Sequence, residues 1–538
     1  MLAQLIINYF SLNKKLIIGI IIFLGVAITV TFNNIFVVNG VRAETQNPNI
    51  ILIVADDLGW NDVGFHGSEI KTPHLDSLAK SAIRLDRFYV KSFCTPTRAA
   101  LMTGRHPFRY GMSSNIVWPW EKKGLPLEEK TIAQTLKEAG YYTAIVGKWH
   151  LGHYQEAYLP TQRGFDYHYG HYCGAVDYFT HKQQGGLDWH RNEKPVEEKG
   201  YTTDLISQEA VKLIRSHNYS ESPLFLYVSF NAPHTPLQAK EEDIKNYPKI
   251  QDEGRRIYAA QVQSMDEAIE NIVETLKDKQ VWDNTLLFFT SDNGGSTYQP
   301  STRGDNRPLR GQKGTLYEGG VRVPTLISYP AKLEGGQVID KVFSVVDLYP
   351  TLAKLGGVKI DSQKQLDGID ILESIATGST KRDEVLIQYK NSSTAAIIKG
   401  DYKLVKNGMI PLAVPYYGTI ELFNLKNDPL ETHNLFYSEP EKVREIQKIL
   451  ERYGKDAKPS ILNSSNKIPK NFVIPKIWSP EYLQANPGKQ SKNPPINRGS
   501  VKSLSRRSIA IGAFLIGVLV SSLTIIFLQK YKKKKVVV

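Results

Sequence analysis

Four short apolar runs recur along the chain, and each ends in polar residues. Asn49 to Val54 runs into Asp56 and Asp57, and Tyr142 to Val146 runs into Lys148 and His150. Leu224 to Val228 leads to His234, and Thr285 to Phe289 runs into Asp292 and Asn293. Runs this short, rich in β-branched and aromatic residues and apolar at nearly every position, predict strands buried on both faces, as in a parallel sheet. Between them, "EKTIAQTLKEAG" and "YAAQVQSMDEAIENIVETLKDK" carry the spacing of amphipathic helices. Strands alternating with helices predict an α/β sandwich. Ligands of such sheets bind beyond the carboxyl ends of the strands, which is where the polar residues fall.

The texture changes near residue 385. "TAAIIKGDYKLVKNG" and "GTIELFNLKNDPLETHNL" read as short strands with turns, hence a small C-terminal α+β domain with an antiparallel sheet. At 538 residues the chain exceeds one typical core, which fits a catalytic domain over 44–385 and a small domain over 386–485. A Pro/Lys/Asn/Ser-rich stretch, 486–507, reads as a tether.

The net charge of +13 would suit nucleic acid, but its distribution does not. Residues 1–43 hold Lys14, Lys15 and Arg42 and no acid, and residues 486–538 hold eleven basic groups and no acid. The body between is balanced, 53 basic against 54 acidic, so no nucleic-acid partner is expected. The ends read as membrane segments. Lys14-Lys15, the apolar run Leu16 to Val30 and the small-residue close Val41-Arg42-Ala43 predict a signal peptide over 1–43, with an uncleaved anchor as the alternative. Residues 508–528 predict a transmembrane helix, since Ile509 to Leu528 contains no charge. Lys530 and Lys532 to Lys535 then place the tail 529–538 in the cytosol and the body outside the cell or in a lumen of the secretory or lysosomal pathway. The glycosylation triplets at Asn218, Asn391 and Asn463 suit that topology. Cys94 and Cys173, the only cysteines, allow one disulfide at most.

Asp56, Asp57, Asp292 and Asn293 offer hard oxygen ligands from two strand ends, a set that favours Ca²⁺ or Mg²⁺ over zinc. Either pair alone would pass as turn or cap residues; two pairs, each after a buried strand, argue for a metal. Lys148, His150, His234, Lys313 and Arg98 add cationic or proton-donating groups, so the set as a whole implies a metal and an anionic ligand.

Cys94-Thr-Pro96-Thr-Arg98-Ala-Ala-Leu-Met-Thr-Gly104-Arg resembles the sulfatase signature, a Cys-x-Pro-x-Arg core followed by a Thr-Gly pair. "ADDLGW", "VGKWHLG", "LPTQRGFD", "DNGG", "LRGQKGTLYEGGVRVP" and "NDPLETHNL" resemble further sulfatase blocks, in order, over about residues 48–436. "LPTQRGFD" and "DYFTH" are most similar to the arylsulfatase B group, the N-acetylgalactosamine-4-sulfatases. The resemblance implies an alkaline-phosphatase-like fold and hydrolysis of a sulfate ester, of a sulfated glycan or an aryl sulfate, through a formylglycine-sulfate intermediate. It implies that a formylglycine-generating enzyme, reading Pro96 and Arg98, oxidises Cys94 to an aldehyde that hydrates to a geminal diol. It further implies one Ca²⁺ held by Asp56, Asp57, Asp292, Asn293 and the modified Cys94. Lys148, Lys313 and His234 would hold the sulfate oxygens, with His234 protonating the leaving alcohol. Arg98 and His150 would fix the diol, and His150 would take its second proton. A proline at the first helical position would suit a helix start whose amides favour an oxyanion.

The chain departs from that group in lacking several disulfides, in adding a membrane anchor, and in carrying Gly314 and Tyr317 where larger aromatics are expected. Two other readings compete. A phosphatase or phosphodiesterase on the same fold would be expected to use a Ser or Thr nucleophile and histidine-rich two-zinc ligation. An inactive glycan-binding surface protein would not be expected to keep the whole residue set.

Overall fold

The computed structural model describes residues 47–475 and Trp478, apart from 114, 299, 361–364, 381, 408–418, 464 and 466. These belong to the first of two units into which the chain divides, Met1–Ala485 and Asn486–Val538. The expected leader, tether, membrane span and tail lie outside the described residues; among the described ones no helix is long and apolar enough to cross a membrane.

The central sheet has ten strands: β1 (Asn49–Ala55), β2 (Ile83–Leu85), β3 (Tyr142–Lys148), β4 (Tyr167–His171), β5 (His190–Arg191), β6 (Lys194–Pro195), β7 (Leu224–Ser229), β8 (Thr285–Ser291), β9 (Leu326–Ser328) and β10 (Val338–Ile339). Their spatial order is β10-β2-β9-β8-β1-β7-β3-β4-β5-β6. The middle five, β8-β1-β7-β3-β4, are parallel, and they include the four runs marked by apolar sequence. Strand β9 closes one side antiparallel to β8, and β5 closes the other antiparallel to β4. The sheet is therefore largely parallel.

Both faces are covered, which is why the runs do not alternate. Ile50, Leu52 and Val54 face a core built with α2 (Cys94–Thr103), α3 (Ile132–Glu138) and α7 (Leu348–Leu355). Ile51, Ile53 and Ala55 face α1 (Pro73–Ser81), α4 (Thr202–Ser216) and α5 (Glu253–Asp278). Helix α5 starts earlier than its apolar pattern, because Asp252 caps it by accepting a 2.6 Å bond from the Arg255 N–H.

The smaller sheet is antiparallel, β11 (Glu384–Asn391), β12 (Thr394–Lys399), β13 (Tyr402–Lys406) and β14 (Ile420–Asn424), in sequential order. One face packs on α8 (Pro440–Gly454) through Val443, Ile446 and Leu450. The other, through Ile387, Ile398 and Phe423, packs on Phe93, Leu316 and Tyr317, which flank Cys94 and Lys313 in the chain. The small sheet thus braces two segments that carry candidate site residues. Both cysteines are buried and free, so no disulfide contributes.

Candidate active site

Each residue singled out at a strand end arrives at one place. Strand β1 delivers Asp56 and Asp57, β3 ends in Lys148, β7 leads to His234, and β8 leads to Asp292 and Asn293. The Asp57 N–H donates to Asp292 Oδ1 at 3.2 Å, and Asn293 Nδ2 donates to Asp57 Oδ1 at 2.7 Å, which locks the two strand ends together. Asp57 holds φ 67°, a left-handed conformation that is strained for a residue other than glycine.

Cys94 opens helix α2, with Phe93 as the extended residue before it, and all ten helix residues are buried. Pro96 is the third helical residue rather than the first. It is still in the first turn, where a missing N–H costs nothing. The Cys94 Sγ and carboxylate oxygens of Asp56 and Asp292 lie within 4.8 Å of one another; so do atoms of Asp56, Asp57 and His234. Burial pushes the Cys94 thiol above its ordinary pKa, so as a thiol it is a poor nucleophile.

Arg98, one turn on, is sunk beneath these groups. Its Nε and Nη2 donate to Asp292 Oδ2 at 3.0 and 2.8 Å, and its Nη1 donates to Ser229 Oγ at 2.5 Å and Tyr227 OH at 3.2 Å. It therefore fixes the Asp292 carboxylate and ties α2 to β7. Tyr227 and Ser229 are site residues that the apolar pattern concealed, being alternate positions on one face of a buried strand.

Lys148 Nζ donates to Asp56 Oδ2 at 2.6 Å, and Lys313 Nζ sits 2.7 and 2.9 Å from the Asp57 carboxylate oxygens. Burial alone would raise the Asp57 pKa, but Lys313 and then His234 outweigh it and hold the group at about 2. Asp56 goes the other way, to about 8, because burial and the nearby Asp292 carboxylate exceed the help from Lys148 and Arg98. That carboxylate calls for a cation.

Two unsatisfied atoms would suit a cation. Asp56 Oδ1 and Asn293 Oδ1 are buried and accept no hydrogen bond among the described residues. Both are hard oxygens, and both stand in the expected ligand set. The residues present therefore fit Ca²⁺.

Two histidines flank the cluster. His150 Nε2 faces the Val117 carbonyl at 3.2 Å, so it carries the proton, and buried Nδ1 is left as an unpartnered acceptor. Burial, then Lys148 and Arg98, depress its pKa well below the usual histidine range. Gly174 covers the ring so closely that a Cβ there would lie 2.7 Å from it. His234 donates from Nδ1 to the Thr235 carbonyl at 2.8 Å and turns Nε2 toward Asp57 Oδ2 at 3.7 Å. Burial and Lys313 lower it to about 3.

The Lys313 loop is clamped from the small sheet. Lys403, fully buried, lies 2.8 Å from Glu318 and 2.8 Å from Glu431, and Glu431 Oε2 accepts from the Glu318 N–H at 2.7 Å. Arg310 stacks on Tyr317, 3.8 Å from its ring centre, and binds the Glu431 carbonyl at 2.9 Å. Gly314 has φ +84°, and a Cβ there would lie 2.9 Å from the Phe93 ring, so Phe93 and glycine fill the place where a larger aromatic was expected.

The segments that carry these residues are similar to known proteins. The pattern described as Sulfatase matches residues 48–358, and the one described as N-sulphoglucosamine sulphohydrolase, C-terminal, matches 311–457. Mouse arylsulfatase J is 35% identical over 498 residues, covering 84% of this chain and 83% of its own. Human N-acetylgalactosamine-6-sulfatase is 33% identical over 386 residues, covering 68% of this chain and 72% of its own. Among solved structures, Ps i-CgsB in complex with k-i-k-neocarrahexaose superposes with TM-score 0.72 at 36% identity, over 78% of this chain and 96% of its own. The first of these patterns spans more than half of the chain, on the fold and around the residues just described. The chain belongs to the sulfatase family.

Proposed function

We propose that the protein removes sulfate from a glycan built on galactose-type sugars, N-acetylgalactosamine 4-sulfate or a related unit, using Cys94 in its formylglycine form. The observation that carries this is the gathering of Asp56, Asp57, Asp292, Asn293, Arg98, Lys148, Lys313 and two histidines around one buried cysteine. Asp56, Asp57, Asp292 and Asn293 would hold Ca²⁺, which supplies a Lewis acid for the sulfate oxygens and for residue 94. Residue 94, once oxidised and hydrated, supplies the hydroxyl that attacks sulfur.

The remaining work falls to the chain itself. Three acidic groups, Asp56, Asp57 and Asp292, face three basic ones, Arg98, Lys148 and Lys313. Adding a divalent ion leaves the site positive, which suits a sulfate monoester. Lys148 and Lys313 bind its oxygens, and Arg98 keeps Asp292 and residue 94 in position. His150, neutral and with Nδ1 free, is the group to accept a proton from residue 94 when sulfate is expelled. His234 is neutral without substrate. The negative charge of the ester raises its pKa on binding, so that Nε2 can protonate the leaving alcohol.

Sulfate at O6 is a second reading, favoured by the N-acetylgalactosamine-6-sulfatase relatives. Neocarrahexaose bound to Ps i-CgsB supports an oligosaccharide rather than a lone sugar. The test is sulfate release from 4-sulfated and 6-sulfated N-acetylgalactosamine disaccharides, from neocarrahexaose and from 4-nitrophenyl sulfate. The matching phosphate ester serves as control. Release from a sulfated sugar is expected; turnover of the phosphate alone would refute the proposal.

For the ends of the chain we propose a cleaved leader and a C-terminal anchor, with the body outside the cytosol. The support is the charge distribution and the three glycosylation triplets, whose asparagines are all exposed. A chain ending near residue 500 should then leave the membrane and stay active; one that remains membrane-bound would identify 1–43 as an uncleaved anchor.

A further inference from the structure

Beside the candidate active site lies an aromatic pair at the margin of the core. Trp118 and Trp120 stack with ring centres 5.3 Å apart and planes within 2° of parallel, and Phe472 meets Trp120 edge-on at 6.2 Å. Both tryptophans are half-buried and belong to none of the four buried apolar clusters among the described residues. Neither indole N–H has a hydrogen-bond partner among them. Two large rings left partly in water, outside any core, need another explanation.

Their position supplies one. Val117, the residue before Trp118, donates its N–H to Thr95 Oγ1 at 3.1 Å and accepts from His150 Nε2 through its carbonyl. The platform therefore begins one residue, about 3.8 Å of chain, from a main-chain group that touches both the neighbour of Cys94 and the proposed base. The charge around it is one-sided. Glu121 is buried and accepts from the backbone N–H groups of Lys123 and Asn463, at 3.2 and 2.8 Å. Lys122 and Lys123 are exposed and neither forms an ion pair among the described residues, although Lys122 stands over the Tyr154 ring at 5.5 Å.

We infer that Trp118 and Trp120 form a subsite for a neighbouring sugar of an anionic glycan, outside the sugar that carries the reacting sulfate. The apolar C–H face of a pyranose stacks on an indole as other rigid rings do, the free N–H groups meet its hydroxyls, and Lys122 and Lys123 meet its sulfate or carboxylate. A small aryl sulfate lacks that neighbouring sugar and so would leave this platform untouched. The inference rests on the glycan-sulfatase reading above and adds to it that the substrate is at least an oligosaccharide.

The test compares Trp118→Ala, Trp120→Ala and the double variant with wild type on neocarrahexaose and on 4-nitrophenyl sulfate. Truncating an aromatic anchor is expected to lower kcat/KM for the hexasaccharide about tenfold, mainly through KM. The ratio to the aryl sulfate falls with it, while thermal stability holds. Equal losses on both substrates would mean that the rings only support the His150 loop, and would overturn the inference; so would an unchanged hexasaccharide KM. If the wild type desulfates neither compound, the glycan-sulfatase reading fails separately. The platform is then judged by tryptophan fluorescence on titration with neocarrahexaose. Quenching that the double variant abolishes supports it, and no quenching in wild type overturns it.

Discussion

Lys403→Met tests whether the small sheet holds the Lys313 loop through charge. The Lys403 ammonium is sealed between Glu318 and Glu431, at 2.8 Å from each, and all three side chains are buried. Burial raises the Glu431 pKa to about 7 despite Lys403, whereas Lys403 and Arg322 overcome burial at Glu318 and lower it. Methionine keeps most of the volume and removes the charge. Above about pH 7 two carboxylates are then left facing one another, and breaking a buried pair in this way costs about 3–5 kcal/mol. At about pH 5 protonation relieves part of the cost, leaving about 1–3 kcal/mol for the missing hydrogen bonds. The sign follows from the raised pKa of Glu431, which loss of Lys403 raises further: the folded state holds that proton more tightly than the unfolded one, so the variant loses stability as pH rises. Urea unfolding at both pH values measures it. Turnover should fall as well, because Glu318 opens α6 (Glu318–Val321), five residues after Lys313. Combining Lys403→Met with Glu318→Gln and Glu431→Gln should restore most of the stability. A loss below about 1 kcal/mol at the higher pH, the value of an exposed pair, would refute the reasoning.

Other outcomes follow from the site. Gly174→Ala forces the His150 ring to move by several tenths of an ångström, and should lower kcat about ten- to a hundredfold with unfolding unchanged; wild-type kcat would show that His150 needs no such placement. Asp57→Ala removes both a ligand oxygen and the counter-charge of Lys313, and should abolish turnover. Stripping the wild type with chelator should inhibit it, and Ca²⁺ should restore it; full activity in Asp57→Ala would remove that residue from the ligand set.

Much of the site was legible because parallel sheets put their chemistry at strand ends. Asp56, Lys148, His234 and Asp292 each come shortly after a run that is apolar at nearly every position, so their positions could be read without knowing the pairing order. Cys94, Arg98 and Lys313 follow no such run and take their roles from the motif resemblance, and the structure sets them beside the strand-end groups. What stayed hidden depends on contacts between distant segments. Tyr227 and Ser229 look like strand residues until Arg98 is seen beneath them. Gly174 matters only through the ring that it covers. Lys403 lies in a strand 85 residues from Glu318, and no local pattern marks a buried lysine with two acidic partners. The strand Glu384–Asn391 was missed too, its bulged pairing with Thr394–Lys399 interrupting regular alternation.

The central claim is that residue 94 acts as formylglycine rather than as a thiol. Its most direct test is mass spectrometry of the tryptic peptide Ser92–Arg98, from protein made in its native host or beside a formylglycine-generating enzyme and shown to release sulfate. The account predicts a peptide lighter than the cysteine form by one sulfur and two hydrogens and heavier by one oxygen, in proportion to specific activity. A fully active preparation in which residue 94 is unmodified cysteine would contradict it.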